Sequence, residues 1–166
     1  MQLHGYSIIE GKPTTDSAGT LEATNPKTGE TLATTFQLAT ADDVRRAGDA
    51  AAAAMPAFEQ ADRAAFLRAI ADEIEAIGDT LLDRYCEETA LPRGRAEGER
   101  GRTCGQLRNF AAQIEAGDWN RPTTEAAQPN RTPLPKPALH LHYIAVGPVA
   151  VFSPVNFPLA YGVAGG

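Results

Sequence analysis

The sequence has few cysteines, no long apolar run and no excess of positive charge. Its 2 cysteines, Cys86 and Cys104, form no C-x-x-C pair, which excludes a disulfide framework and favours the reducing cytoplasm. No apolar run approaches the roughly 18 residues that a membrane span needs, and the polar start is no signal peptide. With 15 Lys+Arg against 21 Asp+Glu and a net charge of -6, a general nucleic-acid binder is disfavoured. We therefore expect a cytoplasmic protein with neither a membrane nor a nucleic-acid partner.

A hydrophobic fraction of 43% and a charged fraction of 22% are ordinary for a globular protein. The pattern predicts an α/β fold in three segments. Residues 1–117 hold β segments followed by a helical layer, residues 118–146 hold an extended connector and strands, and residues 147–166 begin a strand-helix unit.

Turn and helix signals organise the first segment. Asn25–Glu30 places Pro26 at the start of a turn and Gly29 at its end, which predicts a hairpin. Thr40 predicts the N-cap of a first helix. A second helix, from near Asp62, carries an apolar face and ends at Gly78, a third stops at Leu91–Pro92, and a fourth carries one apolar stripe. The two apolar sets are Phe66, Leu67, Ile70, Ile74 and Ile77 in the second helix, and Leu107, Phe110, Ala111 and Ile114 in the fourth.

The last segment contains two candidate strands. Residues 140–146 alternate as a strand does, whereas Val149–Phe152 is a continuous apolar run typical of a strand covered on both faces in a parallel sheet. Such a strand needs parallel neighbours. A crossover helix is predicted to begin around Phe157–Pro158, and the sequence ends before a second such strand, so we expect an incomplete domain.

Three segments together resemble the aldehyde dehydrogenase family. They are Asn25–Glu30, Glu88–Pro92 (similar to Glu-Thr-Gly of many members), and Gly147–Ala160 with its Asn156-Phe157-Pro158. With the stretch Gly98–Arg108, the sequence looks most like the branch that acts on α-ketoglutaric semialdehyde (2,5-dioxovalerate). The resemblance covers nearly the whole chain but only the N-terminal part of the family's catalytic subunit. It implies β hairpins, a helical layer and the first strand of a Rossmann-like sheet.

The resemblance implies a role for Asn156. In this family a cysteine attacks the aldehyde, a hydride passes to NAD or NADP, and the thioester is hydrolysed. Asn156 matches the asparagine whose amide holds the oxyanion of the thiohemiacetal, a role suited to a donor that brings no titrating proton. The alternative is that Asn156 only caps the helix that follows it.

The same resemblance assigns the neighbouring residues. Phe152, Ser153, Pro154, Val155 and Asn156 form the turn along which the nicotinamide side of the cofactor lies, although Val155 replaces a Trp of many members. Phe157 and Tyr161 match positions that face the substrate tunnel, with helix-to-sheet packing as the alternative. Arg102, or else Arg100, is a candidate for holding a substrate carboxylate. The alternative there is a solvated helix face on which Glu97, Glu99 and the arginines pair with one another.

Other candidate sites lack partners. His140 and His142 share a strand face but have no third ligand of suitable spacing nearby, so no metal site is predicted. Cys86 and Cys104 lie in helices, outside any segment like the family's nucleophile motif, and are interpreted as small core residues. The sequon at Asn130 is interpreted as chance.

Neither the family's nucleophilic cysteine nor its general base has a counterpart in these 166 residues. We therefore expect the chain to lack dehydrogenase activity by itself, while a parent enzyme would be a homo-oligomer that oxidises a small aldehyde. The competing hypothesis is a non-catalytic remnant or interaction module.

Overall fold

A computed structural model describes residues 3–55 and 60–165 of the chain. Met1, Gln2 and Gly166, at the outer limits of the predicted segments, lie outside the described residues. The strands are β1 (Ile8–Ile9), β2 (Lys12–Pro13), β3 (Thr20–Thr24), β4 (Thr31–Gln37), β5 (Thr123–Glu125) and β6 (Leu139–Leu141), and the helices are α1 (Ala41–Ala54), α2 (Gln60–Ile77), α3 (Asp79–Thr89) and α4 (Arg93–Ala116). A 3-10 turn spans Asp118–Asn120, and a π-helical turn, here called the π turn, spans Ala160–Ala164. Within the described ranges, none of the helices has the length and apolar character that crossing a bilayer requires.

The strands form three antiparallel pairs, β1–β2, β3–β4 and β5–β6. The predicted hairpin is confirmed, with Leu21 of β3 opposite Phe36 of β4. In its turn, the Asn25 side chain accepts a hydrogen bond from the Lys27 amide at 2.9 Å. Gly29 has φ 76°, a left-handed conformation that glycine adopts at little cost. Local turn chemistry therefore sets this part of the fold.

Thr40 is the N-cap of α1, as predicted. Its Oγ1 accepts a hydrogen bond from the Asp43 amide at 3.1 Å, and the Asp43 carboxylate accepts one from the Thr40 amide at 3.0 Å. This reciprocal capping box satisfies two amides that the helix start leaves without helical partners. Hydrogen bonds from the Thr40 backbone and then from its side chain lower the pKa of Asp43.

The remaining helices begin and end close to the predicted positions. Gly78, at φ 66°, separates α2 from α3, as predicted. The third helix ends at Thr89, slightly before the predicted stop, because Ala90 turns left-handed with φ 56° and its amide bonds the Cys86 carbonyl. Pro92 is then the N-cap of α4, which ends at a left-handed Gly117.

Helices α2 and α4 pack against each other around the main core. One buried cluster contains Ala71, Cys104, Leu107 and Ala164, with Leu67, Ile70 and Ile74 packed on it. A second contains Leu82, Tyr85 and Ala96, with Cys86, Leu91 and Leu159 packed on it. Both clusters include a residue from beyond position 158, so the C-terminal turn is anchored on the helical layer. Of the predicted apolar faces, Phe66 and Phe110 remain 53% and 42% exposed.

The structure differs from the sequence prediction mainly at the C-terminal strands. Only Leu139–Leu141 is a strand, paired with β5, and residues 142–159, all described, carry none. Val149 is 64% and Phe152 93% exposed. A strand buried on both faces requires neighbouring strands for its hydrogen bonds and helices for its side chains, and the described residues supply neither at this position. The predicted crossover helix appears as the short π turn.

Candidate active site

A cleft of about 310 Å³ brings together the three segments that carried the family resemblance. Its lining residues are Pro26 of the β3–β4 turn, Glu88, Thr89 and Leu91 at the end of α3, and Val155 and Asn156. These segments are separated by more than 60 positions along the chain, so their meeting is a property of the tertiary fold. Asn156 is exposed on the edge of this cleft.

The main chain around Asn156 is held by helix α4. Arg95 donates from Nη2 to the Asn156 carbonyl oxygen at 3.0 Å, and the Phe157 amide donates to the Pro154 carbonyl at 3.3 Å. The N-cap of the π turn is Leu159, and it makes no side-chain cap. The interpretation of Asn156 as a helix cap is therefore wrong, because the helical turn starts at Ala160, four residues later.

The predicted cofactor segment, residues 152–156, lies on the surface. Phe152 is 93% and Val155 87% exposed, while Pro154 is half-buried. Ser153 donates from Oγ to the Pro158 carbonyl at 3.2 Å. A Cβ on Gly162 would lie 2.9 Å from that Oγ. The segment therefore packs closely on the π turn at Gly162, a position with no side chain.

A second cleft, of about 270 Å³, is lined by two of the predicted substrate residues, Arg102 and Phe157. Arg95, Arg102 and Phe157 line it with Gly94, Gly98 and Glu99. The Arg102 guanidinium lies 5.7 Å from the centre of the Tyr161 ring, and the Arg95 guanidinium lies 4.3 Å from that of Phe157. The two rings contact each other at 5.1 Å between centres. Two cations stacked on aromatic faces thus border one groove.

The other arginines of this stretch have structural partners. Arg100 donates from Nη1 to the Gly78 carbonyl at 3.2 Å, at the junction of α2 and α3, so it does not reach the second cleft. Arg93 pairs with Glu97, one helical turn away, and also with Asp79 and Asp83. The self-paired, exposed face expected as an alternative therefore exists for Arg93 and Glu97.

Glu99 departs from that expectation because it is buried, with 5% of its surface exposed. Its Oε2 accepts from the Tyr85 hydroxyl at 2.6 Å, and its Oε1 accepts from the Leu159 and Ala160 amides at 2.9 and 3.0 Å. Burial, followed by the hydrogen bond to Glu99, raises the pKa of Tyr85 to about 12. Sequence reasoning placed Glu99 in solvent and missed this contact. A signal was available in the spacing of the buried α4 residues Ala96, Glu99, Thr103, Leu107 and Ala111.

The remaining candidates lie apart from both clefts or make structural contacts. Cys104 is buried, its Sγ donates to the Ala71 carbonyl at 3.5 Å, and burial raises the pKa of its thiol, which disfavours the thiolate. His140 faces Thr124 across the β5–β6 pair, while His142 lies beyond the end of β6. In residues 3–55 and 60–165, no group of three or more acidic, histidine or cysteine side chains is arranged to hold a metal ion.

The chain thus combines a helical layer, short antiparallel β pairs and an asparagine turn at the edge of a cleft. The aldehyde dehydrogenase family model matches residues 14–164. The chain belongs to the aldehyde dehydrogenase family.

Two curated relatives are named as alpha-ketoglutaric semialdehyde dehydrogenases. The chain is 49% identical to alpha-ketoglutaric semialdehyde dehydrogenase 2 of Azospirillum brasilense over 170 residues, which cover 100% of the chain and 32% of that protein. It is 40% identical to alpha-ketoglutaric semialdehyde dehydrogenase of Acinetobacter baylyi, covering 98% of the chain and 32% of that protein. The chain thus spans about a third of the length of these relatives.

A solved structure supports the fold. An NADP-dependent enzyme of E. coli is similar with a TM-score of 0.64 and 26% identity, over 74% of this chain and 26% of that one. The expected fold class, the N-terminal portion of the aldehyde dehydrogenase fold, is confirmed.

Proposed function

We propose that this chain supplies the oxyanion-binding turn and part of the substrate groove of an NAD(P)-dependent dehydrogenase that oxidises α-ketoglutaric semialdehyde to 2-oxoglutarate. The observation that supports it is the cleft at which Asn156 meets the β3–β4 turn and the end of α3. In this proposal the catalytic thiol comes from outside these residues. Cys104 is buried and burial raises the pKa of its thiol, while Cys86 packs on the cluster of Leu82, Tyr85 and Ala96 and does not line the Asn156 cleft.

Asn156 acts on the aldehyde oxygen. As a thiolate adds to the carbonyl carbon, the carbonyl π electrons move to oxygen, and the Asn156 Nδ2 hydrogen donates to the negative charge that develops there. A preorganised amide lowers the barrier because it need not reorient as the charge forms. The bond from Arg95 to the Asn156 carbonyl fixes the backbone from which that amide projects.

Residues 152–156 fit a bound nicotinamide cofactor. The segment is accessible on the surface, where Phe152 and Val155 are both largely exposed. NAD or NADP, when bound, accepts the hydride of the oxidised carbon. The residues of this chain contribute a backbone edge and the Ser153 hydroxyl, which is held by the Pro158 carbonyl.

Arg102 and Tyr161 select the anionic substrate. A guanidinium pairs bidentately with a carboxylate, and Arg102 is exposed beside Phe157 and the Tyr161 ring in the second cleft. The names of both curated relatives favour a semialdehyde that carries a carboxylate. We further propose that the enzyme is a cytoplasmic homo-oligomer in which the β5–β6 pair belongs to the arm between subunits.

A second hypothesis, a non-catalytic interaction module, draws on the same exposed apolar residues. Val146 is 92% and Phe152 93% exposed, so this face favours contact with another protein surface. If the chain is part of an enzyme, the rest of the catalytic domain covers this apolar face. If the chain is an interaction module, a separate intact subunit covers it.

The test is a fusion of residues 1–164 to the remaining two thirds of the Azospirillum brasilense relative, which we call the fusion enzyme. We expect NAD(P)-dependent oxidation of α-ketoglutaric semialdehyde, with a lower kcat/KM for a neutral aldehyde of equal length. A folded, cofactor-binding fusion enzyme without aldehyde oxidation would contradict the proposed function and favour the interaction module.

A further inference from the structure

The buried carboxylate of Glu99 ties three elements together. It projects from the middle of α4, accepts the Tyr85 hydroxyl from α3, and accepts two successive amides, those of Leu159 and Ala160, where the π turn begins. A carboxylate removed from water is costly unless its oxygens are hydrogen-bonded. Three donors at 2.6 to 3.0 Å meet that requirement and fix the direction of the carboxylate.

Helix α4 holds both ends of the segment that carries Asn156. Arg95, one helical turn before Glu99, donates to the Asn156 carbonyl and stacks on Phe157. Glu99 holds the other end through the amides of Leu159 and Ala160. The Arg95 guanidinium as donor and the Glu99 carboxylate as acceptor therefore hold residues 156–160 against the same face of α4.

We propose that Glu99 is a positioning residue for the reaction, acting through Asn156; this rests on the proposed function. The hydrogen bonds of the carboxylate go to Tyr85, Leu159 and Ala160 and to none of residues 152–156. Its effect is to hold the start of the π turn so that the Asn156 amide stays at the distance an oxyanion requires. Displacing a catalytic donor by about 1 Å can cost about a hundredfold in rate, so a contact three residues away affects kcat.

The predicted consequence is that a substitution of Glu99 lowers kcat only when Asn156 is present. Glu99→Gln preserves size but replaces one carboxylate oxygen by an amide donor, so it weakens the set of three bonds. Glu97→Gln is the matched control, because Glu97 lies on the same helix, is exposed, and pairs only with Arg93 among the contacts described.

The experiment is a double-mutant cycle on kcat in the fusion enzyme. We expect Glu99→Gln to lower kcat by about tenfold to a hundredfold with the cofactor KM retained, and Glu97→Gln to change it by less than about twofold. In the Asn156→Ala background, we expect Glu99→Gln to cost less than about twofold, because the group it positions has gone. Equal losses with and without Asn156, or no loss in the single variant, would overturn the proposal.

A second readout does not depend on turnover. Amide hydrogen exchange at Leu159 and Ala160 is expected to accelerate in Glu99→Gln and to stay unchanged in Glu97→Gln. If Glu99→Gln does not fold, Tyr85→Phe takes its place in the double-mutant cycle, because it removes one of the three donors to the carboxylate. We then expect a smaller loss of kcat, which is again absent in the Asn156→Ala background. An inactive parent fusion enzyme contradicts the proposed function, whereas an active parent with unchanged exchange in the variant contradicts the role of Glu99.

Discussion

Tyr85→Phe tests the hydrogen bond that links α3 to the buried carboxylate of α4. Tyr85 is 5% exposed and its hydroxyl lies 2.6 Å from Glu99 Oε2. The substitution keeps the ring against Leu82 and Ala96 and removes the hydroxyl, which donates to Glu99 and also interacts with the Arg95 guanidinium. Hydrogen bonds to charged groups contribute about 1.5–3 kcal/mol, and the two amide donors that remain keep the carboxylate partly satisfied. We therefore expect the free energy of unfolding to fall by about 1.5–3 kcal/mol.

Urea unfolding of the 166-residue chain at neutral pH measures this loss of unfolding free energy, with Tyr143→Phe, a residue that is 60% exposed, as the control. A Tyr85→Phe loss below about 0.5 kcal/mol, the range of ordinary surface substitutions, would refute the reasoning.

A second prediction concerns the pH dependence of stability. Because the folded pKa of Tyr85 is about 12 against an ordinary value of 10.0, the folded state keeps the phenol proton over an interval in which the unfolded state loses it. The contribution of Tyr85 to the free energy of unfolding is complete below pH 10 and is lost as the pH rises toward 12.

Three further substitutions test the core, the α3 terminus and the groove. Leu107→Ala, at 3% exposure, is expected to destabilise the chain to urea by about 2–5 kcal/mol, whereas Leu21→Ala, at 59% exposure, costs much less; equal effects would contradict the described core. Ala90→Gly relieves a left-handed residue at φ 56° and is expected to raise the melting temperature through a gain of about 1 kcal/mol, so a lower value would be the contrary result. Arg102→Leu in the fusion enzyme should raise KM for α-ketoglutaric semialdehyde at least about tenfold, the loss of one charged hydrogen bond, and leave KM for a neutral aldehyde unchanged; parallel increases would remove its role.

Local signals in the sequence predicted the local structure. The β3–β4 turn, the Thr40 cap and the break at Gly78 each depend on residues within one turn of one another, so the residue types alone indicate the geometry. Val149–Phe152 shows the limit of this reasoning. Its apolar run predicts a buried strand, but a strand forms only where neighbouring strands pair with it.

The candidate site was predictable only in part. The resemblance segments include residues that line the first cleft. Arg102 and Phe157 line the second cleft, and both contact the Tyr161 ring. The sequence pattern includes Glu99 only in the alternative of a solvated helix face, on which Glu97, Glu99 and the arginines pair with one another. The burial of Glu99 depends on amides 60 and 61 positions away, and only its place on the buried stripe of α4 indicated that it faces inward.

The most direct test of the account is the kcat of Asn156→Ala in the fusion enzyme, compared with that of Asn130→Ala at an exposed position that lines neither cleft. Loss of one oxyanion donor is expected to lower kcat by about 10²–10³-fold, while cofactor binding, measured by fluorescence titration, is retained and Asn130→Ala behaves as the parent. A kcat within about twofold of the parent, the range of an ordinary surface substitution, would contradict the claim that the Asn156 amide stabilises the developing oxyanion.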